Sequence, residues 1–265
     1  MKIAAVQMSS GSDREANIAK CAAFIAQAAR DGAGLVVFPE NVLFKGRDTG
    51  FRATASPVPG PVTDQLCELS RAHGVAVVWG AIVERAGTAC HNTALFVLPD
   101  GTIGASYRKM HLFELYDGDT VCFREAELFE PGDDVVTLAH GGLEFGMSIC
   151  YDLRFPELYR EQVARGAGVL LIPSDFTRRT GQKHWLPLLQ ARAIENLSWV
   201  VAPNQSGVNG ETGAESHGHT CIISPWGDVV AECDGENEGM CLADVTIEAV
   251  KDARARIRAL EHRKL

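Results

Sequence analysis

The chain has 265 residues, is 46% hydrophobic and 22% charged, and carries 26 Gly and 11 Pro, a composition suited to a large α/β core and unlike that of a disordered chain. With 25 basic against 34 acidic residues the net charge is −9, so the basic surplus of a nucleic-acid binder is missing. The start, Met1 to Gln7, holds one basic residue before Ser10-Gly11-Ser12 and lacks a secretory leader, and no later apolar run could span a bilayer; a soluble cytoplasmic protein is expected, with no membrane partner.

In chain order, Ile3 to Met8 reads as a strand and Asn17 to Arg30 as a helix, with Ile18, Ala22, Ile25 and Ala29 on one stripe. Gly32-Ala33-Gly34-Leu35-Val36-Val37-Phe38-Pro39-Glu40 is an apolar run between a Gly turn and a Pro stop, the pattern of a strand buried on both faces. A helix over Thr63 to Ala72, a strand over Val75 to Trp79 and a hairpin follow. The hairpin is Thr93 to Leu98 and Thr102 to Tyr107 around Pro99-Asp100-Gly101.

The same order then returns. Phe145 to Cys150 reads as a strand and Pro156 to Arg165 as a helix. Gly166-Ala167-Gly168-Val169-Leu170-Leu171-Ile172-Pro173-Ser174 repeats the first Gly-Ala-Gly run. His184 to Asn196 reads as a helix and Trp199 to Ala202 as a strand. A second hairpin, Thr220 to Ser224 and Asp228 to Cys233, turns at Pro225-Trp226-Gly227. Glu248 to Leu260 closes the chain as a helix, ahead of a basic tail ending at Leu265. The expected fold is α/β: a four-layer α-β-β-α sandwich, one domain over residues 1–265 with pseudo-two-fold halves.

Several functions lose their motif. No Gly-x-Gly-x-x-Gly, Gly-x-x-x-x-Gly-Lys or Gly-x-Ser-x-Gly is present, which removes the dinucleotide fold, the common NTPases and the serine α/β-hydrolases. The eight cysteines include no Cys-x-x-Cys pair, which disfavours a zinc ribbon or redox pair. His217-Gly218-His219 puts two imidazoles on one face of a strand, but no carboxylate or thiol cluster supports a metal there.

Chemistry in α/β sheets gathers at the C-terminal ends of strands. Glu40 ends the first Gly-Ala-Gly strand, Lys109 ends the first hairpin, and Cys150 ends the strand opening the second half. By position alone, Cys150 reads equally as an inert packing thiol and the other two as surface charges. Against that, Cys150 stands where an apolar strand gives way to Tyr151-Asp152-Leu153-Arg154, and Pro39 fixes the backbone before Glu40.

The segments Phe38-Pro39-Glu40, Tyr107-Arg108-Lys109-Met110-His111-Leu112-Phe113 and Ile149-Cys150-Tyr151-Asp152-Leu153-Arg154-Phe155-Pro156-Glu157 resemble the three signature motifs of the nitrilase superfamily of carbon–nitrogen hydrolases. The similarity runs from Ile3 to about Ile247. Pro173-Ser174-Asp175-Phe176, Thr180 to Trp185 and Ala191 to Asn196 resemble its Nit branch, the group of ω-amidase and deaminated glutathione amidase. That resemblance implies a sandwich fold and hydrolysis of a small carboxylate-bearing amide to acid plus ammonia. It makes Glu40 the general base, Lys109 the oxyanion-stabilising cation, Cys150 the nucleophile and the Tyr151 backbone N–H a second oxyanion donor. The family's second glutamate matches Glu125, with Glu127 and Glu130 as neighbours that an alignment slip would exchange.

In that chemistry an adjacent ammonium lowers a thiol from its free value near ~8.5, so Cys150 should outpace the other seven thiols toward iodoacetamide. Glu40 takes the thiol proton, and a thioester forms and is hydrolysed. No metal or organic cofactor has a task in these steps. A carboxylate-bearing substrate needs a cation, and Arg178, Arg179 and Lys183 stand in the loop after the second Gly-Ala-Gly run, with Lys45 and Arg47 behind them. An N-carbamoyl amine hydrolase or a true nitrilase would use the same three residues, and an idle binding or assembly module would lack a reason to keep them. The resemblance also implies a homodimer or larger assembly, joined through the helices beside the Cys150 motif.

Overall fold

The computed structural model describes residues 1–264. Its first half runs β1 (Lys2–Gln7), α1 (Arg14–Arg30), β2 (Leu35–Val37), α2 (Asp48–Thr54), α3 (Pro61–His73), β3 (Ala76–Ala86), β4 (Ala89–Val97), β5 (Ile103–Arg108), β6 (Glu114–Asp117), β7 (Thr120–Arg124) and β8 (Thr137–His140). The second half runs β9 (Leu143–Met147), α4 (Pro156–Ala164), β10 (Val169–Leu171), α5 (Arg178–Asn196), β11 (Trp199–Ala202), β12 (Cys221–Ile223), β13 (Val229–Glu232), β14 (Gly239–Asp244) and α6 (Ile247–Arg256).

Two six-stranded sheets result, in the orders β14-β1-β2-β3-β4-β5 and β13-β12-β11-β10-β9-β8, with β6 and β7 as a separate hairpin. In each sheet three strands are parallel, β1-β2-β3 and β9-β10-β11, and the flanking strands are antiparallel. The halves trade their last strands. β8 ends the first half but pairs with β9, and β14 ends the second half but pairs with β1, where Cys241 lies opposite Ala5. Neither half completes its sheet alone.

Alternation along the strands builds the layers. Ile3, Ala5, Leu35, Val37 and Phe96 face the other sheet's Phe145 and Met147, and the Phe96 and Phe145 rings stand 5.5 Å apart. Ala4, Val6, Val36, Val77 and Trp79 point the other way, onto Ile18, Cys21 and Ile25 of α1 and Leu66 of α3. Trp185, Leu189 and Ala193 of α5 belong to the larger of these cores, with the strands of the second sheet. The α-β-β-α order read from the repeat is therefore the observed one.

Element limits depart from expectation for local reasons. α1 begins at Arg14 because the Asp13 side chain caps it, accepting the Ala16 N–H. α5 begins at Arg178, six residues before the expected His184, capped by Thr177. It runs through Gly181 and Pro187, two residues that argue against a helix. Gly181 is there for space, since a Cβ would lie 2.2 Å from Cγ of His217. α6 stops at Arg256, short of Leu260, and Leu265 of the expected tail lies outside the described residues. β3 and β4 extend into a long hairpin turning at Gly87, whose φ of 63° suits glycine.

Candidate active site

β2 ends at Val37 and β9 at Met147, so Glu40 and Cys150 stand three residues beyond their strands, while Lys109 follows β5 directly. Cys150 opens a 3-10 turn, Cys150–Arg154, at φ 48°, a left-handed conformation uncommon for a residue with a Cβ. Several bonds hold this turn. The Cys150 N–H donates to the Pro173 carbonyl at 2.8 Å, and Arg192 donates to the Leu153 carbonyl at 3.0 and 2.7 Å. Asp152 is fully buried and joins two of the motifs: it accepts the Tyr107 hydroxyl at 2.7 Å, the Ile149 N–H at 2.8 Å, and the His111 N–H and Nδ1 at 3.0 and 2.7 Å.

Glu40 is placed by close backbone approach. A Cβ on Gly80 would lie 2.1 Å from the Phe38 carbonyl and 2.4 Å from that of Pro39, so only glycine lets β3 pass here. Gln205 donates to the Glu40 carbonyl at 2.8 Å.

Lys109, 2% exposed, sits between two buried carboxylates. Its Nζ donates to Glu40 Oε1 at 2.9 Å and to both oxygens of Glu125 at 3.0 and 2.8 Å. Asn92 spans the same pair, donating to Glu40 Oε1 at 2.9 Å and Glu125 Oε1 at 3.0 Å. The Phe113 N–H donates to Glu125 Oε2 at 2.7 Å and the Asp175 N–H to Glu40 Oε2 at 3.1 Å. Glu127 and Glu130 are exposed, so the carboxylate beside Lys109 is that of Glu125. The Cys150 thiol lines the same cavity as Glu40, close enough for each to perturb the other's ionisation.

The electrostatics correct one expectation. Burial pushes the Cys150 thiol well above its ordinary value, the Glu40 charge adds to the rise, and Lys109 offsets only part of it. Burial alone would lower Lys109, but Glu125 and Glu40 outweigh it and hold the ammonium well above its usual range. The lysine is committed to carboxylates, so the balance at Cys150 runs toward the thiol and not toward the thiolate the adjacent ammonium alone would favour. Burial raises Glu40 above 4.5, Lys109 opposing and Glu125 reinforcing the shift. Cys150 is also 9% exposed, whereas Cys122 is an exposed thiol, so ready alkylation of Cys150 by a small neutral reagent no longer follows.

These groups floor a cavity of about 320 Å³ whose walls include Phe51, Phe113, Phe123 and Phe129. Of the cations proposed for it, Arg178, Arg179 and Lys183 are exposed on the first turns of α5 and do not line it, and Arg47 is exposed beside α2. Lys45 does line it, 2.8 Å from Asp175 Oδ1, and also donates to Ser216. Burial would raise Asp175, but Lys45, with hydrogen bonds from Lys45, Ser216 and Asn41, brings its carboxyl below the usual range. A recess of about 30 Å³ shares Cys150, Asp175 and Thr177 with the cavity and is bounded by Arg154. The sequence reading passed over Arg154. Its guanidinium lies 5.7 and 5.5 Å from the Tyr151 and Phe176 rings and 3.3 Å from His184 Nδ1, and among the described residues it has no carboxylate ion pair.

Among the described residues no group of three or more His, Cys, Asp or Glu is arranged to hold a metal ion. His217 and His219 lie in irregular chain, not on a strand, with ring centres 4.7 Å apart. Burial, then His219, lowers His217 to about 4.

The profile of the carbon–nitrogen hydrolase family matches residues 2–255, and the chain belongs to that family. It is 37% identical to a deaminated glutathione amidase of Synechocystis over 98% of this chain and 97% of the relative. It is 30% identical to omega-amidase NIT2 of Homo sapiens, over 97% and 92%. The fold matches the C. elegans NitFhit protein with a TM-score of 0.91 at 33% identity, covering 99% of this chain and 65% of that one. It also matches a glutamate-to-glutamine mutant of the amidase from Nesterenkonia sp. AN1, which carries acrylamide added at its active site cysteine. That match has a TM-score of 0.81 at 28% identity, over 97% and 98%. The chain is thus a hydrolase of carbon–nitrogen bonds other than peptide bonds, with a nitrilase-superfamily fold.

Proposed function

We propose that the chain, as one catalytic domain over residues 1–265, is a cysteine-dependent amidase that hydrolyses short acids bearing a terminal amide. One observation carries the reading: a thiol, a carboxyl, and an ammonium held between that carboxyl and a second one meet on the floor of one cavity. The names of the relatives from Synechocystis and Homo sapiens, and the cysteine adduct in the Nesterenkonia amidase, support it.

Glu40 removes the thiol proton as Sγ adds to the amide carbon, so no standing thiolate is needed. The oxyanion lies against Lys109 Nζ and the Tyr151 N–H. As the C–N bond breaks, the proton held by Glu40 leaves with ammonia. Water, deprotonated by Glu40, then cleaves the thioester, and the acid departs from a restored thiol. Glu125 and Asn92 hold Lys109 and Glu40 at fixed separation through these charge changes. Arg154 meets the substrate carboxylate, supported by its lack of a carboxylate ion pair among the described residues and its place in the recess that Cys150 also lines. We place the protein in the cytoplasm as a homodimer or larger assembly joined through α4 and α5, for which light scattering is the test.

Ammonia release from a panel of ω-amides, with Cys150→Ala beside the wild type, tests the function. Release by the wild type and none by the variant is expected. Full activity in Cys150→Ala would end the proposal.

A further inference from the structure

We propose that Cys233 and Cys241 form a redox-sensitive dithiol, closed to a disulfide by a peroxide, which fastens the traded strand β14 to the edge of the opposite sheet. Cys233 follows β13, the edge of the second sheet, and Cys241 lies in β14, the edge of the first. The Thr220 carbonyl joins them: it accepts the Cys233 N–H at 2.9 Å and the Cys241 thiol at 3.7 Å. Each sulfur is the largest single influence on the other's ionisation, which places the two side by side. The chain between them is already fixed. In the turn after Cys233, Asp234 Oδ1 accepts the Glu236 and Asn237 N–H groups at 2.9 and 2.7 Å. The buried Gln7 donates to the Asp234 and Asn237 carbonyls at 2.5 and 2.7 Å, and its Oε1 accepts the Thr220 N–H at 2.9 Å. Closing the bond therefore orders little that is not already ordered in the reduced protein.

The two thiols differ as an attacking and a resolving sulfur. Cys233 is half-buried beside an exposed turn, where a small oxidant reaches it, whereas Cys241 is 7% exposed. The Cys241 thiol brings Cys233 below its ordinary value, against burial and the charges of Asp234 and Glu232. Cys233, and then burial, hold Cys241 above its own. Cys233 is thus the sulfur with thiolate character. With hydrogen peroxide as oxidant, its thiolate takes one oxygen, the O–O bond breaks, and a sulfenic acid forms as the other oxygen leaves in water with the Cys233 proton. The Cys241 sulfur then displaces the sulfenic hydroxyl, which leaves as a second water with the Cys241 proton, and the S–S bond forms. Two thiols are oxidised and one peroxide is reduced; a dithiol reductant reverses the step.

The test treats the reduced protein with hydrogen peroxide, caps the remaining thiols with iodoacetamide under denaturing conditions, and maps disulfides by peptide mass spectrometry. Wild type, Cys233→Ser and Cys241→Ser are compared. The expected product is a peptide pair joined through Cys233 and Cys241, lighter by two hydrogen atoms than the reduced peptides and lost on adding dithiothreitol. The wild-type melting midpoint should be about 5 °C higher oxidised than reduced, relative to the same difference in either variant, in which oxidation of Cys150 acts alike. In Cys241→Ser, Cys233 should stop at a sulfenic acid that dimedone traps. None of these readouts uses turnover, so the result stands apart from the amidase reading. A sulfinic acid at Cys233 with no cross-link, a disulfide to the buried Cys221 in its place, or a midpoint gain no larger in the wild type than in the variants overturns the inference.

Discussion

Replacing Asp152 by asparagine keeps its volume and removes one of its two acceptor oxygens. Four donors converge there, with the Ile149 N–H and Tyr107 hydroxyl on Oδ2 and the His111 N–H and Nδ1 on Oδ1. Either orientation of the new amide strands a backbone N–H. With its NH₂ toward Oδ2, Tyr107 can rotate to accept but Ile149 cannot; turned the other way, the His111 N–H is stranded. A stranded donor costs about 1–3 kcal/mol, and loss of the charge weakens the remaining bonds by about half. The expected loss is about 2–4 kcal/mol in urea unfolding. Because Ile149 precedes Cys150 and His111 follows Lys109 by two residues, kcat should also fall by at least about tenfold. A variant within about 0.5 kcal/mol of wild type, with unaltered turnover, would refute the idea that Asp152 holds the two motifs together.

Gly80→Ala should destabilise the fold by about 1–3 kcal/mol and depress activity, because a Cβ meets the Phe38 and Pro39 carbonyls just ahead of Glu40; normal stability and activity would contradict this. The acid limb of kcat/KM should lie above 4.5, since burial raises Glu40 and the base must be ionised to act. A pH–rate profile checks it, and a limb at or below 4.5 would count against Glu40 as the base. The same shift has a signed effect on stability. A carboxyl raised in the folded state favours folding below its unfolded value, and that contribution is lost as pH rises through the folded value. Glu40→Gln should therefore gain stability relative to wild type as pH rises above 4.5, read from unfolding midpoints across pH.

The repeat made the layers legible because Gly-turn, apolar run and Pro-stop are local signals, present at Gly32 to Glu40 and again at Gly166 to Ser174. The traded strands were not legible. β14 is defined by pairing with β1 across the whole chain, and nothing local in Gly239–Asp244 announces that partner. Position marked Glu40, Lys109 and Cys150 only as strand-end or hairpin-end residues, and the resemblance of their three segments to the family's motifs is what singled them out as a set. Choosing Glu125 over Glu127 and Glu130 required burial, which sequence does not carry. The cation beside the thiol was missed for a related reason. Arg178, Arg179 and Lys183 drew attention as loop charges, yet the segment is helical from Arg178 and turns them to solvent. Arg154, inside the quoted motif, is brought to the recess by the turn that opens at Cys150.

The central claim is that Cys150 carries the acyl group during turnover. Rapid quenching of the enzyme with a slow ω-amide, followed by peptide mass spectrometry, tests it directly. The account predicts the mass of the acyl group on the peptide containing Cys150, absent in Cys150→Ala. Turnover with no adduct at Cys150, or an adduct on another thiol such as the exposed Cys122, would contradict it.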